Sequence, residues 1–225
     1  MMDCCSKYIC FGCAVANTMR EGQEGLERRC VFCREPAAKS DEEHDKNTME
    51  RIKKNDPVAM RFMGKKRYKE GDYDTGLQYL TKAAKLGNTE AHYNLSVMYK
   101  GVKGVEKDER KQFYHLEQAA IAGHPTARYN LGIEEGRKGN FDRARKHFII
   151  AANLGHHDSL QGLKELYADG DASKEDYAGA LRAYQAAIDA TKSKQRRGRS
   201  NVRSFQNHST LITCKFENIS IQLSI

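Results

Sequence analysis

Between residues 56 and 190, a short pattern of one small and one large apolar residue recurs at a long and nearly regular interval. A small residue is followed four positions later by a large apolar one, and the small residues are separated by 32, 36 and 32 positions. Because residues i and i+4 lie on one face of a helix, each pair predicts an amphipathic helix. The four pairs are Ala59/Met63, Ala91/Leu95, Ala127/Leu131 and Ser159/Leu163.

A second series keeps the same period. Ala-Ala pairs occur at 83–84, 119–120, 151–152 and 186–187, and the first three are followed by Gly87, Gly123 and Gly155. Two small residues let another helix approach closely, and a glycine just beyond supplies a left-handed helix end. The two series together predict a helix over Thr89–Lys100 and an antiparallel partner over Asp108–Ala122. Four such hairpins exceed the three or so units that stacking requires.

The second unit carries a family resemblance. Its residues Ala91-x3-Leu95-Ser96-x2-Tyr99-x-Gly101-x2-Gly104-Val105-x2-Asp108, followed by Ala119-Ala120-x2-Gly123, resemble a Sel1-like repeat. The third unit keeps Ala127, Leu131-Gly132, Ala151-Ala152 and Gly155 but lacks the Gly-Val-x2-Asp loop, and the first and fourth units are more divergent. The resemblance implies an all-α, right-handed superhelical solenoid of helix hairpins, related to tetratricopeptide arrays. It also implies that residues 57–190, as four repeats, serve as a scaffold for other proteins and have no catalytic site.

Residues 38–56 predict a connecting helix. Ser40 and Glu43 have the spacing of a capping box, so the helix should begin there and reach about Asn55, before Pro57. Ser173 and Asp176 have the same spacing and predict the start of the last long helix.

Six of the seven cysteines lie within residues 4–33. Cys10-x2-Cys13 and Cys30-x2-Cys33 are separated by sixteen residues, which is the spacing of a four-thiolate zinc site. Each Cys-x2-Cys can present two thiolates at the tetrahedral angle, so the prediction is a zinc-binding module in residues 1–37. The alternative is a set of reduced cysteines in an arm, and Cys214 is interpreted as an inert thiol.

The same segment resembles a RING finger that lacks its first Cys-x2-Cys. Cys5-x4-Cys10-x2-Cys13 matches the central run with Lys7 in place of histidine, and Cys30-x2-Cys33 matches the last pair. The resemblance implies Cys4 or Cys5 as a further ligand and Arg34 as a ubiquitin contact. It offers an alternative function: a ubiquitin ligase subunit that recruits a ubiquitin-conjugating enzyme, with substrate held by the repeats.

The distribution of charge along the chain indicates a third segment after the repeats. The chain has a net charge of +8, but much of it falls in residues 191–203, which contain no acidic residue. Residues 191–225 are therefore predicted to be a disordered basic tail, and no specific nucleic-acid partner is expected. No run reaches the about 18 apolar residues of a membrane span. The apolar run from Tyr8 to Ala16 leaves secretion as an alternative to the expected cytoplasmic location, and nuclear import through the tail is another.

Other polar groups in the repeats do not assemble into an active site. His156-His157-Asp158 follows a capping glycine, where polar capping residues are expected. Four tyrosines at helical positions are predicted to pack between repeats, and Glu134-Glu135 is predicted to lie on a solvated face. Phosphate-binding and nucleophile-elbow motifs are absent from the sequence. The tyrosines are Tyr93, Tyr99, Tyr114 and Tyr129.

Overall fold

A computed structural model describes residues 11–27, 29–30, 35–36, 38–101 and 104–191. Within these ranges the chain forms ten α-helices and one antiparallel bridge, between Arg29 and Pro36. The described residues divide into two compact units, one ending at Ala59 and one beginning at Met60. The helices are α1 Phe11–Gln23, α2 Asp41–Lys53, α3 Pro57–Lys69, α4 Tyr73–Lys85, α5 Thr89–Met98, α6 Glu109–Ile121, α7 Pro125–Arg137, α8 Phe141–Asn153, α9 Asp158–Ala168 and α10 Lys174–Thr191.

The connecting helix α2 starts at the predicted capping box. The Glu43 backbone N–H donates to Ser40 Oγ at 3.2 Å, and the Glu43 carboxylate accepts from the Lys39 backbone N–H at 2.8 Å. After α2, Asp56 forms an ion pair with Arg51 at 3.0 Å and accepts from the Val58 backbone N–H at 2.9 Å. Asp56 therefore joins the end of α2 to the first turn of α3.

Helices α3 to α10 follow one another as four helix hairpins. The helices predicted at Thr89–Lys100 and Asp108–Ala122 are present as α5 and α6, with Asp108 as the N-cap and Ala122 as the C-cap of α6. The chain is thus an all-α helical repeat solenoid over these elements. Among the helices that the structure describes, none has the length and apolar character needed to span a bilayer.

The glycine helix ends and the capping box at Ser173 form as the sequence predicts, and the structure adds an N-cap at Asn88. Asn88 caps α5 by accepting the Ala91 backbone N–H at 2.8 Å. Gly87, Gly123 and Gly155 have φ values of 81°, 85° and 85°, which a residue with a Cβ rarely adopts. At the start of α10, the Ser173 hydroxyl accepts from the backbone N–H of Asp176, and the Asp176 carboxylate accepts from the backbone N–H of Ser173, both at 3.0 Å.

The two periodic series form the core of the array. The opening small residues are completely buried, and so is the first alanine of the first three Ala-Ala pairs. Helices can therefore approach closely at these places, as predicted. The buried residues are Ala59, Ala91, Ala127 and Ser159 in the first series and Ala83, Ala119 and Ala151 in the second.

The ring of Phe148 fills a slot between α7 and α9. A Cβ added to Gly132 would lie 2.6 Å from this ring, and one added to Gly162 would lie 2.9 Å from it. Both distances are shorter than real contacts, so the two glycines make room for the ring.

Candidate protein-binding surface

The first helices of successive hairpins are joined by stacked aromatic rings. Tyr93 of α5 stacks on His124 with ring centroids 4.3 Å apart, and Tyr129 of α7 stacks on His156 at 4.7 Å. Each tyrosine lies two residues after the opening alanine of its repeat, and each histidine follows a capping glycine. The predicted packing of tyrosines between repeats is confirmed for these two residues.

His124 also connects α5 to α7 by hydrogen bonds. It is the N-cap of α7, and its Nδ1 accepts from the Ala127 backbone N–H at 3.1 Å. The hydrogen of a neutral ring therefore lies on Nε2, which is 3.3 Å from the Glu90 carboxylate. The hydrogen bond from His124, acting against desolvation, lowers the pKa of Glu90. A charged carboxylate on α5 is thus held at the junction with α7.

A third contact links each first helix to the second helix of the preceding hairpin. His92 donates to the backbone carbonyl of Ala84, and Arg128 Nη2 donates to that of Ala120 at 2.8 Å. His92 and Arg128 directly follow the opening alanines of their repeats, and each accepting carbonyl belongs to the second residue of an Ala-Ala pair. The same repeat position therefore makes the same bond with a different side chain.

The second hairpin carries an aromatic cluster around His115. Tyr99 stacks on His115 with an interplanar angle of 5°, and His115 Nδ1 lies 3.0 Å from His92 Nδ1. Burial, together with the charge of His92, lowers the pKa of His115 to about 4. Tyr114 is 55% exposed, so the prediction that it packs between repeats is wrong. Its ring meets the ring of His92, which belongs to the same hairpin, edge-on with centroids 6.5 Å apart.

The pair Glu134-Glu135 was predicted to lie on a solvated face, and this is wrong for Glu135. The side chain of Glu135 is buried and accepts from Asn140 Nδ2 at 2.9 Å, and it forms an ion pair with Arg143 at 3.4 Å. Glu134 pairs with Arg137 one helical turn later, at 3.0 Å. Glu135 therefore links α7 to the start of α8, whereas the ion pair of Glu134 lies within α7.

The His156-His157-Asp158 sequence lies at the start of α9, as expected, but the side chain of His157, the N-cap residue, makes no capping hydrogen bond. His156 Nδ1 lies 3.0 Å from the hydroxyl of Ser159, and His157 packs on the ring of Tyr184 at 5.7 Å. Burial lowers the pKa of His156, which favours its neutral form. These side chains hold the start of α9 in place.

A basic face on α3 was missed by the sequence reasoning. Arg61, Lys65 and Lys69 are spaced four residues apart, and Arg61 is only 8% exposed. Burial first, and the charges of Arg61 and Lys69 next, lower the pKa of Lys65, whereas Glu90 raises it. An alignment of the repeats points to this face, because Arg61 stands at the position that Tyr93 and Tyr129 occupy in the next two units.

Most of the predicted metal ligands fall outside the residues that the structure describes. These are Cys4, Cys5, Cys10 and Cys33, together with Arg34. Cys13 belongs to α1, and Cys30 is buried, with its backbone N–H donating to the Glu35 carbonyl at 2.8 Å. Among the described residues, no group of three or more His, Cys, Asp or Glu side chains could hold a metal ion. The predicted basic tail lies outside the described residues from 192 onward.

Comparison with known proteins places the repeats in a family. The Sel1 repeat model matches residues 57–88, 89–124 and 125–156. Chitin synthase regulatory factor 4 of Schizosaccharomyces pombe is 34% identical over 88 residues, which is 39% of this chain and 14% of that protein. The chain therefore aligns with a small part of this relative's length.

Two solved structures share the fold. A Sel1 repeat protein from Oxalobacter formigenes superimposes with a TM-score of 0.57 and 23% identity, over 77% of this chain and 70% of that chain. A protective antigen of uropathogenic Escherichia coli with an SLR fold gives a TM-score of 0.51 and 19% identity, over 79% and 38% of the two chains. Residues 57–156 therefore match three Sel1 repeats, and the helical array shares the fold of solved Sel1 repeat structures.

Proposed function

We propose that the helical array is a protein-interaction scaffold that binds a segment of a partner protein along its first helices. The observation that carries the proposal is the series of α3, α5 and α7, which carry half-buried or exposed charged side chains at Lys65, Glu90 and Arg128. Stacked helix hairpins provide extended surfaces for such segments. The S. pombe relative is named as a regulatory factor, which is compatible with a binding role.

The proposal is tested by amide hydrogen exchange on the full chain with a purified partner obtained by cross-linking. We expect the partner to slow exchange in α3, α5 and α7 more than in α4, α6 and α8. Protection confined to residues outside 57–191, or no partner bound by these helices, would contradict the scaffold function.

The zinc prediction remains a second proposal. It is supported by the spacing of Cys10, Cys13, Cys30 and Cys33, which is that of a four-thiolate zinc site. A ubiquitin-ligase role would need this module to bind a conjugating enzyme, with Arg34 in contact with the ubiquitin.

Metal analysis of freshly purified, reduced protein tests the zinc proposal. We expect at least one zinc per chain, lost in the Cys30→Ser variant and kept in the matched Cys214→Ser control. Zinc-free protein would refute the metal site. Zinc-loaded protein that discharges no ubiquitin from a charged conjugating enzyme would refute the ligase role alone.

A further inference from the structure

A pocket of about 320 Å³ lies between α4 and the loop that joins α5 to α6. This volume is near the lower end for ligand sites, so the pocket suits a single side chain of a partner. Its lining combines apolar and carboxylate side chains, which include Leu77, Val105, Asp74, Glu106 and Asp108.

Close backbone contacts fix the loop that forms one wall of this pocket. The Asp108 backbone N–H donates to the Tyr99 carbonyl at 3.0 Å, which closes the loop. Gly104 has a φ of 85°, and a Cβ added there would overlap the ring of Tyr73 on α4. The loop backbone therefore lies directly against the first hairpin.

The junction between the third and fourth hairpins shows which side chain fits such a space. Helices α4 and α8 both have 13 residues and carry their Ala-Ala pairs at the same place, so Asp142 stands at the position of Asp74. Arg145 likewise stands at the position of Leu77. Arg145 donates to the Asp142 carboxylate at 2.9 Å and to the Asp171 carbonyl, in the loop of the next hairpin, at 3.1 Å. One guanidinium thus connects the α8 carboxylate to the following loop.

The earlier junction has the carboxylate without the cation. Leu77 has no donor for Asp74, and the Asp74 side chain forms no ion pair or hydrogen bond among the residues that the structure describes. The loop opposite contributes a second exposed carboxylate, Glu106. A cationic side chain from outside would therefore meet two carboxylates where the later junction has its own arginine.

Two lysines also line the pocket, but each has a carboxylate of its own. Lys107 Nζ lies 2.7 Å from Glu109, and Lys111 Nζ lies 3.1 Å from Asp108. Asp108 raises the pKa of Lys111 most, and Glu106 raises it least. The lysines are thus neutralised within the second hairpin and do not serve the α4 carboxylate.

We propose that this pocket receives an arginine side chain of a partner protein, in the position that Arg145 fills in the later junction. The guanidinium bonds to Asp74 and Glu106, and its aliphatic stem packs on Leu77 and Val105. The pocket lies on α4 and the α5–α6 loop, outside the surface of the first helices. The proposal therefore goes beyond the scaffold function and does not depend on it.

A variant that supplies the cation from within tests the geometry without a partner. Leu77→Arg copies the later junction. Adding Asp74→Asn to Leu77→Arg should lower the Tm by about 2 °C more than Asp74→Asn does in the natural chain, because only the first pair loses an ion pair. Equal effects of Asp74→Asn in both backgrounds would overturn the proposal.

Binding is measured by fluorescence anisotropy with a labelled Gly/Ser peptide carrying alternate arginines, and with the same peptide carrying citrulline, the uncharged analogue of arginine. The chain has a net charge of +8, so a general attraction of cationic peptides is not expected. We expect the full chain to prefer the arginine peptide. Asp74→Asn/Glu106→Gln should weaken that binding by about fivefold or more, and Leu77→Arg should abolish the preference because it fills the site from within.

The matched control is Asp142→Asn/Glu134→Gln. It removes two carboxylates that pair with arginines of the same chain, and it should change binding less than about twofold. Equal effects of the two double variants, or equal binding of the two peptides, would refute the arginine site. Neither result bears on the scaffold function, which is tested separately by protection of the first helices.

Discussion

The junction between the second and third hairpins and the junction between the third and fourth are filled by different side chains at the same repeat positions. The earlier junction combines a medium-sized apolar residue with two small polar ones. The later junction combines a large aromatic ring with two glycines. The equivalent sets are Ser96, Leu116 and Asn130 in the first and Gly132, Phe148 and Gly162 in the second.

The comparison shows that the space between neighbouring hairpins stays filled in both junctions, although the side chains that fill it are polar in one and aromatic in the other. In the earlier junction Asn130 donates to Tyr93, and the Ser96 hydroxyl donates to the Tyr93 carbonyl at 2.7 Å. In the later junction the ring of Phe148 replaces both polar side chains and lies 5.6 Å from the ring of Tyr129. One junction is held by hydrogen bonds and the other by an aromatic ring in a slot.

The largest loss of stability is expected when the ring of Phe148 is removed from the slot between α7 and α9. Phe148→Ala should lower the free energy of unfolding by about 3–5 kcal/mol, because it leaves a cavity between two glycines that cannot fill it. Urea denaturation followed by circular dichroism measures the change. Phe148→Leu restores the residue found at Leu116 and should cost clearly less; an equal cost would show that the ring has no specific role.

The comparison is tested further by giving the later junction the side chains of the earlier one. Gly132→Ser and Gly162→Asn alone should each cost about 1–3 kcal/mol, because their Cβ atoms would meet the ring. The triple variant Gly132→Ser/Phe148→Leu/Gly162→Asn should be more stable than the sum of the single changes predicts. Additive losses in denaturant titrations would refute the equivalence of the two junctions.

A smaller effect on stability should distinguish the hydroxyl group of Tyr93 from that of Tyr129. Tyr93→Phe removes the acceptor of Asn130 and should reduce the free energy of unfolding by about 1 kcal/mol. Tyr129→Phe should have less than half of that effect, because Gly162 stands at the position of Asn130 and has no side chain to bond. The two variants are compared by urea midpoint, and equal losses would contradict the assigned hydrogen bond.

The last effect arises only below neutral pH and concerns the position shared by His92 and Arg128. Burial lowers the pKa of His115, the partner of His92, from 6.5 to about 4, so the unfolded chain binds more protons in that interval. Stability should therefore fall as the pH falls from 6.5 to about 4 and then level off. His115→Gln should reduce this slope in urea titrations, and an unchanged slope would exclude His115 as a source.

A residual slope is expected in His115→Gln, because burial also lowers the pKa values of His92, His147 and His156. Arg128 makes its carbonyl bond as a permanent cation, and this bond should not depend on pH in the same interval. The pH profile thus distinguishes two side chains that occupy one repeat position.

Much of the repeat architecture was predictable because its causes are local. The boundaries of α5 and α6 and the capping box at Ser173 follow from spacings of three or four residues and from glycines that end helices. The period of the Ala-Ala pairs likewise indicates which helix faces meet. These features need only the geometry of a helix and the volume of a side chain.

The candidate site was predictable only in part because it forms between repeats. The sequence places Tyr93 and His124 in different hairpins, and nothing in either segment shows that their rings would stack. The exposure of Tyr114 and the burial of Glu135 have the same origin, because the path of the neighbouring helix decides which side of α6 or α7 is covered.

The sequence by itself determined the helices, their ends and the stacking of hairpins, because those depend on residue type and spacing along one chain segment. Only the tertiary structure decided which polar groups in different repeats face each other. Burial then set their chemistry: it lowers the pKa of Lys65 on a basic face of α3 and holds His115 neutral, effects that require neighbours distant in sequence.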